Sequence, residues 1–509
     1  MRRRDFIQLA AGTAVTFTVG SSLKAQRAVS KRPNVLLLFS DQHSANHLGC
    51  YGHQIVQTPN LDKLADKGVL FSRAYCQDGI CLPSRSSMFT GMYPRKLGLL
   101  DNNDHSGFGN KEGFVPLQSL LRQNGYVTAA FGKRHIPKCL SNDWDVSNGH
   151  LKGEDEFTYW DWIEEKGLLG TFLRDWSAEN KTGRPEDKYA PMSSRISELP
   201  DDATMEAFTA QKTVEFIRNA KESDKPFFCW SSFYRPHQPY TPTKRWADMY
   251  DPGSVFIPPN IKQPSETLPP GLRLFRSLQG DPWCLGVAQR QDDMALYRMF
   301  ISYYYALVTE IDHHIGVILD ELEKQGVADN TIVIYTTDHG DFVGSHGLIE
   351  KGALGHNIYE DTLRVPLIIS CPELIKKKHK CSDIIQLIDL YPTIAQLCGI
   401  KLDDKRVDGL SLVPTLKEGR KPARKYAVSE NWSQSTIITD DFKLGRWLEC
   451  SKFDWWNKKR DYRAFGDMMF NITADPWETD NLYAKEQFSQ QQEYLLKLHS
   501  RWESENEYA

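Results

Sequence analysis

The chain has 509 residues, of which 40% are hydrophobic and 25% are charged. These proportions are typical of a globular protein, and the length is sufficient for two or three structural units with a large buried core. The formal net charge of -4 argues against a general nucleic-acid-binding protein, so a site for an anion would need positive charge supplied locally by a few side chains.

Residues 1–25 are predicted to be an export signal. Three arginines at residues 2–4 precede a mildly apolar run from Phe6 to Val19, and small residues follow it. This arrangement matches the twin-arginine pattern, so we expect the twin-arginine translocation machinery to export the chain, which would then be periplasmic or secreted in a bacterium. A basic anchor helix is the alternative, although the run is short and weak for a membrane span. We expect no integral membrane segment in the mature chain, because no later stretch is sufficiently apolar.

Short apolar runs and amphipathic segments alternate along the next part of the chain. The apolar runs predict strands that are buried on both faces, at residues 34–42, 126–135, 226–237, 330–341 and 364–370. The amphipathic segments predict helices, at residues 60–68, 116–125, 203–220 and 306–326. This alternation predicts an α/β fold with a large, mostly parallel sheet sandwiched by helices.

Four of these predicted strands end in side chains that bind metals or transfer protons. Because ligands of parallel sheets bind outside the carboxyl ends of the strands, we expect these ends to form one rim. For any single strand, the plainer interpretation is that polar residues simply end the strand. Four such ends together favour a functional site. The residues are Asp41, Gln42, Lys133, His135, His237, Asp338 and His339.

Two polar segments, at about residues 138–200 and 252–292, interrupt the alternation and are predicted to be long insertions over the rim. They carry aromatic residues at 159–162 and at Trp283, which could stack on sugars or could fill the insertions' own small core. From about residue 411 the pattern predicts a small antiparallel unit packed on the main one. The ten cysteines show no CxxC pair, so the fold is not expected to depend on disulfides.

The polar side chains at the predicted rim suit a hard divalent cation. Asp41 with Gln42, and Asp338 with His339, offer mainly oxygen ligands, for which calcium is the natural choice. A structural zinc site would require clustered cysteine and histidine residues, and the sequence has no such cluster.

One cysteine stands in an unusual setting. Cys81 lies in the polar stretch DGICLPSRSSMFTG, which we interpret as a short loop beside the cation Arg85. Together with Lys133 and Lys351, these residues would make a strongly cationic pocket around a potential nucleophile. Such a pocket suits a tetrahedral oxyanion ester, either a sulfate or a phosphate.

The stretch CLPSRSSMFTG resembles the signature of the type I, formylglycine-dependent sulfatases of the alkaline-phosphatase-like superfamily. Five further stretches are similar to landmarks of that family and follow its order. They are RPNVLLLFSDQ (32–42), GYVTAAFGKRH (125–135), PHQP (236–239), YTTDHGDFVGSHGLIEKG (335–352) and DPWETDNL (475–482). The resemblance implies a catalytic α/β domain over residues 32–410 and a C-terminal α+β subdomain with an antiparallel sheet over residues 411–509.

The resemblance also implies the groups that would act on the substrate. Cys81 would be oxidised to formylglycine by a formylglycine-generating enzyme before folding, and one hydroxyl of its hydrate would attack sulfur. One Ca²⁺ ion would activate that hydroxyl and hold a sulfate oxygen. The implied ligands of the ion are Asp41, Gln42, Cys81, Asp338 and His339.

Five further residues receive roles from the same resemblance. Arg85 would steady the aldehyde hydrate, and Lys133 and Lys351 would bind oxygens of the transferring group. His237, with Lys351, would protonate the leaving alcohol. His135 would take a proton from the second hydroxyl of the diol, which expels sulfate and regenerates the aldehyde.

The implied activity is release of inorganic sulfate from a sulfated sugar or oligosaccharide, with other outcomes left open. Gln42 replaces the commoner second aspartate, and His339 stands where many members have asparagine. Phosphonate monoester and phosphodiester hydrolases of the superfamily share this combination, as do sulfatases of sugars or choline sulfate, and an arylsulfatase activity is also possible. A silent binder of sulfated glycans would result if Cys81 were never oxidised.

Overall fold

A large sheet with helices on both faces forms the centre of the molecule. The computed structural model describes residues 32–102, 115–176, 194–220, 223–277, 294–352, 357–376, 378–402, 407–422, 424–431, 434–447 and 465–506. The predicted export signal and Trp283 lie outside these ranges. None of the helices within them combines the length and the apolar character needed to cross a bilayer.

Within the described ranges, nine strands form the central sheet in the order β4-β3-β5-β1-β6-β7-β2-β8, with β9 paired to β2. β7 runs antiparallel to both of its neighbours, and the other pairings are parallel. The strands are β1 (Asn34–Asp41), β2 (Val69–Tyr75), β3 (Val127–Gly132), β4 (Val146–Gly149), β5 (Phe227–Pro236), β6 (Thr331–Thr337), β7 (Arg364–Ser370), β8 (His379–Cys381) and β9 (Ile385–Gln386).

Helices cover both faces of this sheet and of the C-terminal unit. The first seven are α1 (Pro59–Lys67), α2 (Cys81–Thr90), α3 (Pro94–Leu97), α4 (Leu117–Gln123), α5 (Tyr159–Glu165), α6 (Leu169–Trp176) and α7 (Met205–Ala220). The others are α8 (Lys244–Ala247), α9 (Pro270–Ser277), α10 (Met294–Lys324), α11 (Glu360–Leu363), α12 (Leu390–Leu397), α13 (Val413–Glu418) and α14 (Ser489–Glu505).

The apolar run of β1 explains why the sheet is buried on both sides. Successive side chains of a strand point to opposite faces, so Val35, Leu37 and Phe39 enter one hydrophobic core while Leu36 and Leu38 enter another. This continuous burial is the property of a parallel sheet covered by helices, and it confirms the predicted fold class.

The structure differs from the sequence-based prediction in several elements. β2 was not predicted, because its polar centre at Ser72 and Arg73 breaks the apolar run. α10 begins twelve residues before the predicted helix, at Met294. The first predicted insertion contains α5 and α6, where Tyr159 and Trp162 are buried in a local core, so these two rings fill that core and are not free to stack on a sugar.

The C-terminal unit contains an antiparallel sheet of four strands within the described ranges, in the order β10-β11-β12-β13. They are β10 (Ala427–Asn431), β11 (Gln434–Ile438), β12 (Phe442–Trp447) and β13 (Met468–Asn471). α14 packs against this sheet through Leu495 and Trp502. The predicted antiparallel C-terminal sheet is therefore confirmed. All eight cysteines in the described part of the chain are free thiols.

A buried lysine joins the two sheets. Lys443 of β12 has a fully buried side chain, and its Nζ lies 2.5 Å from Glu478 Oε1 and 2.9 Å from Glu360 Oε1. It also donates to the main-chain oxygen of Ile358 at 2.6 Å. Burial disfavours the ammonium, but the two carboxylates outweigh it and raise the pKa of Lys443, so the lysine stays charged and holds Glu360, at the start of α11, against the C-terminal sheet.

We expect Lys443→Met to destabilise the fold by about 3–5 kcal/mol, because buried Glu478 would lose its counter-charge and Glu360 would lose one of its two cationic partners. Lys497→Met is the matched control: Lys497 pairs with Glu493 on the exposed surface of α14, where such a pair contributes about 0.3–0.5 kcal/mol. Urea denaturation of both variants measures the free energies of unfolding. Equal stability of the two variants would contradict the assigned role of Lys443.

Candidate active site

The rim of the sheet is formed by four adjacent parallel strands in the order β3, β5, β1 and β6. Each of these strands ends in a residue that was predicted to belong to the site, or is followed by such a residue. Asp41 ends β1, Lys133 follows β3, His237 follows β5 and Asp338 follows β6. Since the strands are neighbours and run in the same direction, their carboxyl ends meet at one edge.

Cys81 is the first residue of α2 and does not lie in a loop as the sequence suggested. Its side chain is buried beneath the rim, with Sγ 3.2 Å from His339 Nε2 and 3.8 Å from Asp41 Oδ1. A hydrogen bond fixes this helix to the segment after β6, because Ser84 Oγ donates to the main-chain oxygen of Asp338 at 2.6 Å. α2 thus holds the sulfur against the ends of β1 and β6.

Arg85, one turn further along α2, connects three strand ends. Its Nε donates to Asp338 Oδ2 and a terminal nitrogen donates to Asp41 Oδ2, both at 2.7 Å. The other terminal nitrogen donates to the main-chain oxygen of Lys133 at 2.8 Å. All three charged side chains of this triad are completely buried, and the two carboxylates raise the pKa of Arg85 against the effect of burial.

Four donor groups form a cluster that could hold a metal ion. The donor atoms of Asp41, Cys81, Asp338 and His339 lie within 4.8 Å of one another, and all four residues are buried. His339 Nδ1 lies 2.9 Å from the main-chain oxygen of Gly340, a contact that leaves Nε2 as the ring nitrogen facing the cluster. Two carboxylates and an imidazole are suitable ligands for a divalent cation.

The predicted ligand Gln42 lies beside this cluster with a fixed amide. Its Nε2 donates to Asp341 Oδ2 at 2.7 Å and to Gln238 Oε1 at 3.0 Å. The amide oxygen of Gln42 is therefore the accepting end of the side chain, and Lys351 Nζ donates to it at 3.0 Å. The backbone N–H of Gln42 donates to Asp338 Oδ1, so this residue also orients one carboxylate of the cluster.

Two lysines supply positive charge above the sulfur. Lys133 Nζ lies 2.7 Å from Asp41 Oδ2 and 4.5 Å from the centroid of the Tyr234 ring. Lys351 Nζ contacts Glu350 Oε1 at 2.6 Å. Burial and the Asp41 carboxylate raise the pKa of the Cys81 thiol, whereas Lys351, Lys133 and His339 lower it, and the net result is a pKa of about 6. The pocket therefore stabilises negative charge at residue 81.

Both predicted histidines are neutral and able to accept protons. His237 Nδ1 lies 2.6 Å from the main-chain oxygen of Gln238, and Nε2 faces Lys351 Nζ at 3.2 Å. Burial and the nearby lysines lower the pKa of His237 to about 3. Burial, Lys133 and Arg85 lower the pKa of His135 to about 3 as well, and its buried Nδ1 has no hydrogen-bond partner in the structure.

Three further residues support the site, and of these Asp341 ends the strand predicted at residues 330–341. Asp341 is completely buried and accepts hydrogen bonds from Gln42 Nε2 and Tyr240 at 2.7 and 2.8 Å, so it fixes the orientation of the Gln42 amide. Burial raises its pKa. The role of Glu350 could have been predicted from the sequence, because it directly precedes Lys351. No feature of the sequence indicates the contribution of Tyr240.

The chain was compared with known protein families. The family model for sulfatases matches residues 33–400, and the model for the C-terminal region of N-sulphoglucosamine sulphohydrolase matches residues 344–505. The first match covers more than two thirds of the chain and includes all of the predicted site residues.

Individual relatives agree with this result. The chain is 27% identical to an N-acetylglucosamine-6-O-sulfatase of Bacteroides thetaiotaomicron, over 94% of this chain and 88% of the relative. A solved structure in complex with D-glucosamine-2-N,6-O-disulfate has a TM-score of 0.70 at 24% identity and covers 93% and 98% of the two chains. A phosphonate monoester hydrolase from Silicibacter pomeroyi has a TM-score of 0.74 at 22% identity and covers 93% and 96%. At these identities the two structures establish a common fold.

We expect the thiol of Cys81 to ionise near pH 6 in metal-free protein that carries the unmodified cysteine. The thiolate would therefore be present at neutral pH, where an ordinary cysteine is protonated. Lys351→Met should raise this pKa, because the variant removes the ammonium that contributes most to lowering it. The measurement is the difference in thiolate absorbance between each protein and its Cys81→Ser variant across a pH titration.

Lys152→Met is the control for this titration, since Lys152 is exposed and none of the causes of the Cys81 shift involves it. The charge arrangement would be contradicted if Cys81 titrated at the pH of an ordinary cysteine, or if both lysine variants had the same effect.

Proposed function

This chain belongs to the sulfatase family, whose members are enzymes that hydrolyse sulfate esters, and from this premise we propose that it releases inorganic sulfate from a sulfated carbohydrate. The observation that carries the proposal is the convergence of Asp41, Asp338 and His339 on Cys81, with Lys133 and Lys351 beside them. The name of the Bacteroides relative, an N-acetylglucosamine-6-O-sulfatase, supports a sugar as the alcohol component.

The residues fit the two groups that the family uses. We propose that Asp41, Asp338 and His339 hold one Ca²⁺ ion with the amide oxygen of Gln42, because hard oxygen ligands favour this ion. We also propose that Cys81 is converted to formylglycine by a formylglycine-generating enzyme. The chemistry supplied by these groups is a nucleophilic hydroxyl at residue 81 and a positive charge facing a sulfate oxygen.

The chain's own cations would bind the sulfate. Lys133 is held by Asp41 and lies over the ring of Tyr234, and Lys351 is held by Glu350 and Gln42. Because both lysines are fixed before substrate binds, they would stabilise charge that shifts among the sulfate oxygens without having to reorganise. Arg85 is fully engaged by Asp41 and Asp338, so its role is to position these carboxylates and α2.

The histidines would handle the two proton transfers. His237 is neutral and lies 3.2 Å from the Lys351 ammonium, so a proton donated to the leaving alcohol would come from this pair. His135 is neutral, and its Nδ1 has no partner. It is therefore suited to accept a proton from the hydroxyl at residue 81 when sulfate is expelled.

A phosphonate monoester or phosphodiester hydrolase is the second candidate function. Gln42 and His339 occupy the metal site, and the fold is shared with a phosphonate monoester hydrolase. Comparing kcat/KM for an aryl sulfate and for the matched phosphate diester separates the two candidates, and we expect the sulfate to be preferred.

We further propose that residues 1–25 direct export through the twin-arginine translocation machinery to the periplasm or the exterior. This location would bring the enzyme to sulfated glycans, which are encountered outside the cytoplasm. Because the twin-arginine route carries folded proteins, Cys81 would be oxidised in the cytoplasm before transport.

We expect protein purified from its native host to release sulfate from at least one sulfated monosaccharide in a panel. Mass spectrometry of the peptide that contains Cys81 should show formylglycine. Cys81→Ala should lower kcat/KM roughly 10⁴-fold or more, as expected when a nucleophile is removed, and Cys398→Ala is a control because Cys398 is buried in the hydrophobic core. Full conversion of Cys81 without activity on any member of the panel would contradict the proposed reaction.

We expect a calcium chelator to abolish turnover and added Ca²⁺ to restore it. Asp338→Asn should weaken Ca²⁺ binding at least about tenfold in a calorimetric titration, because it removes one of two carboxylates from the cluster. Asp320→Asn, at an exposed position of α10, should bind Ca²⁺ as the wild type does. Identical calcium affinities in the two variants would contradict the proposed metal site.

A further inference from the structure

A second cavity, of about 490 Å³, lies between the catalytic unit and the C-terminal sheet. Its walls come from the loop after β1, from β2, from the segment after β6, from α11 and from the turn that follows β13. Among the described residues that line it, none belongs to the candidate active site. The volume lies within the range of about 300–1,000 Å³ that is usual for small-molecule sites.

An exposed aromatic pair forms one side of this cavity. The ring of Phe256 stacks on that of Trp477 with centroids 6.0 Å apart and an angle of 26° between the planes. Phe256 is 47% exposed, although a phenylalanine in a loop is more stable when its ring is covered. A flat apolar platform at the edge of a cavity that also carries polar groups suits a ligand with one apolar face.

The charged groups of the cavity are balanced by one another. Arg73 donates to Asp440 Oδ1 at 2.7 Å and to the main-chain oxygens of Thr439 and Asp440. Arg364 Nε lies 3.4 Å from Glu360 Oε2. Because both guanidinium groups are occupied by acceptors of the protein itself, the cavity offers no free cation to a sulfate or phosphate group.

The polar groups left for a ligand are neutral or acidic. The ring of His47 lines the cavity and is nine-tenths buried, and its Nδ1 has no hydrogen-bond partner. Burial lowers the pKa of His47 well below its usual value, so the ring is uncharged. Asp361 adds carboxylate oxygens to the lining of the cavity, and these acceptors favour a ligand rich in hydroxyl donors.

We propose that this cavity binds an uncharged saccharide unit, which stacks on the Phe256–Trp477 pair and donates hydroxyl hydrogen bonds to the opposite wall. A pyranose ring combines an apolar C–H face with hydroxyl groups at its edge, and this combination matches the two walls. The site would hold an unsulfated part of a glycan and is independent of the catalytic assignment.

Saturation-transfer NMR on the intact protein tests this proposal with glucose, galactose and N-acetylglucosamine as probes. Transfer is measured first without and then with excess inorganic sulfate, which would occupy the active site. We expect at least one sugar to show saturable transfer that sulfate does not remove, and the 6-sulfated form of that sugar to bind more weakly at this site.

Variants at the platform identify the site. Phe256→Ala should weaken binding of the sugar about tenfold or more, since it removes most of the buried aromatic surface, whereas Phe256→Tyr keeps the ring and should bind. Tyr494→Ala is the matched control, because Tyr494 is 53% exposed on α14 and does not line this cavity. Turnover of a small aryl sulfate should be the same in all three variants, so the outcome does not depend on the proposed reaction.

The proposal would be overturned by the absence of transfer with all three sugars, by unchanged binding in Phe256→Ala, or by loss of the signal when sulfate is added. Tighter binding of the sulfated sugar at this site would equally refute it, because the cavity's arginines would then not be neutralised.

Discussion

The geometry of the site depends on the buried ion triad of Arg85 with Asp41 and Asp338. The guanidinium group joins the ends of β1 and β6 to α2, with both contacts at 2.7 Å and no exposure of the three side chains. Removing one member of such a group is strongly destabilising, because the remaining charges cannot be solvated. Since Cys81 begins the helix that carries Arg85, the same interaction sets the position of the sulfur relative to the carboxylates.

The balance of charge around the triad explains what the pocket selects. Lys133 and Lys351 are each anchored by a carboxylate, Asp41 and Glu350 respectively, so they are positioned before any ligand arrives. Together with His339 they lower the pKa of the Cys81 thiol, against burial and Asp41, which raise it. A divalent cation at the cluster would add to this field. A pocket of this kind favours an anionic group and excludes a neutral ester by the charge of its walls.

The strand ends could be predicted from the sequence because a physical rule connects them. Buried parallel strands read as continuous apolar runs, and their carboxyl ends share one edge, so Asp41, Lys133 and Asp338 could be grouped without a structure. The helix at Cys81 could not be predicted in this way, because its residues are buried on all sides and show no amphipathic period. β2 was missed because Arg73 interrupts its pattern to pair with Asp440, a partner far away in the sequence.

The C-terminal sheet also holds the segment that precedes Cys81. The main-chain oxygen of Gln77 accepts the N–H of Glu430 in β10 at 2.7 Å, and its side-chain oxygen accepts the N–H of Ile388 at 3.1 Å. Only three residues separate Gln77 from Cys81, so a shift of the small sheet would be transmitted to the start of α2. Arg85 fixes α2 against the large sheet, and β10 of the small sheet fixes the segment that leads into α2. The C-terminal unit is therefore part of the framework that positions residue 81.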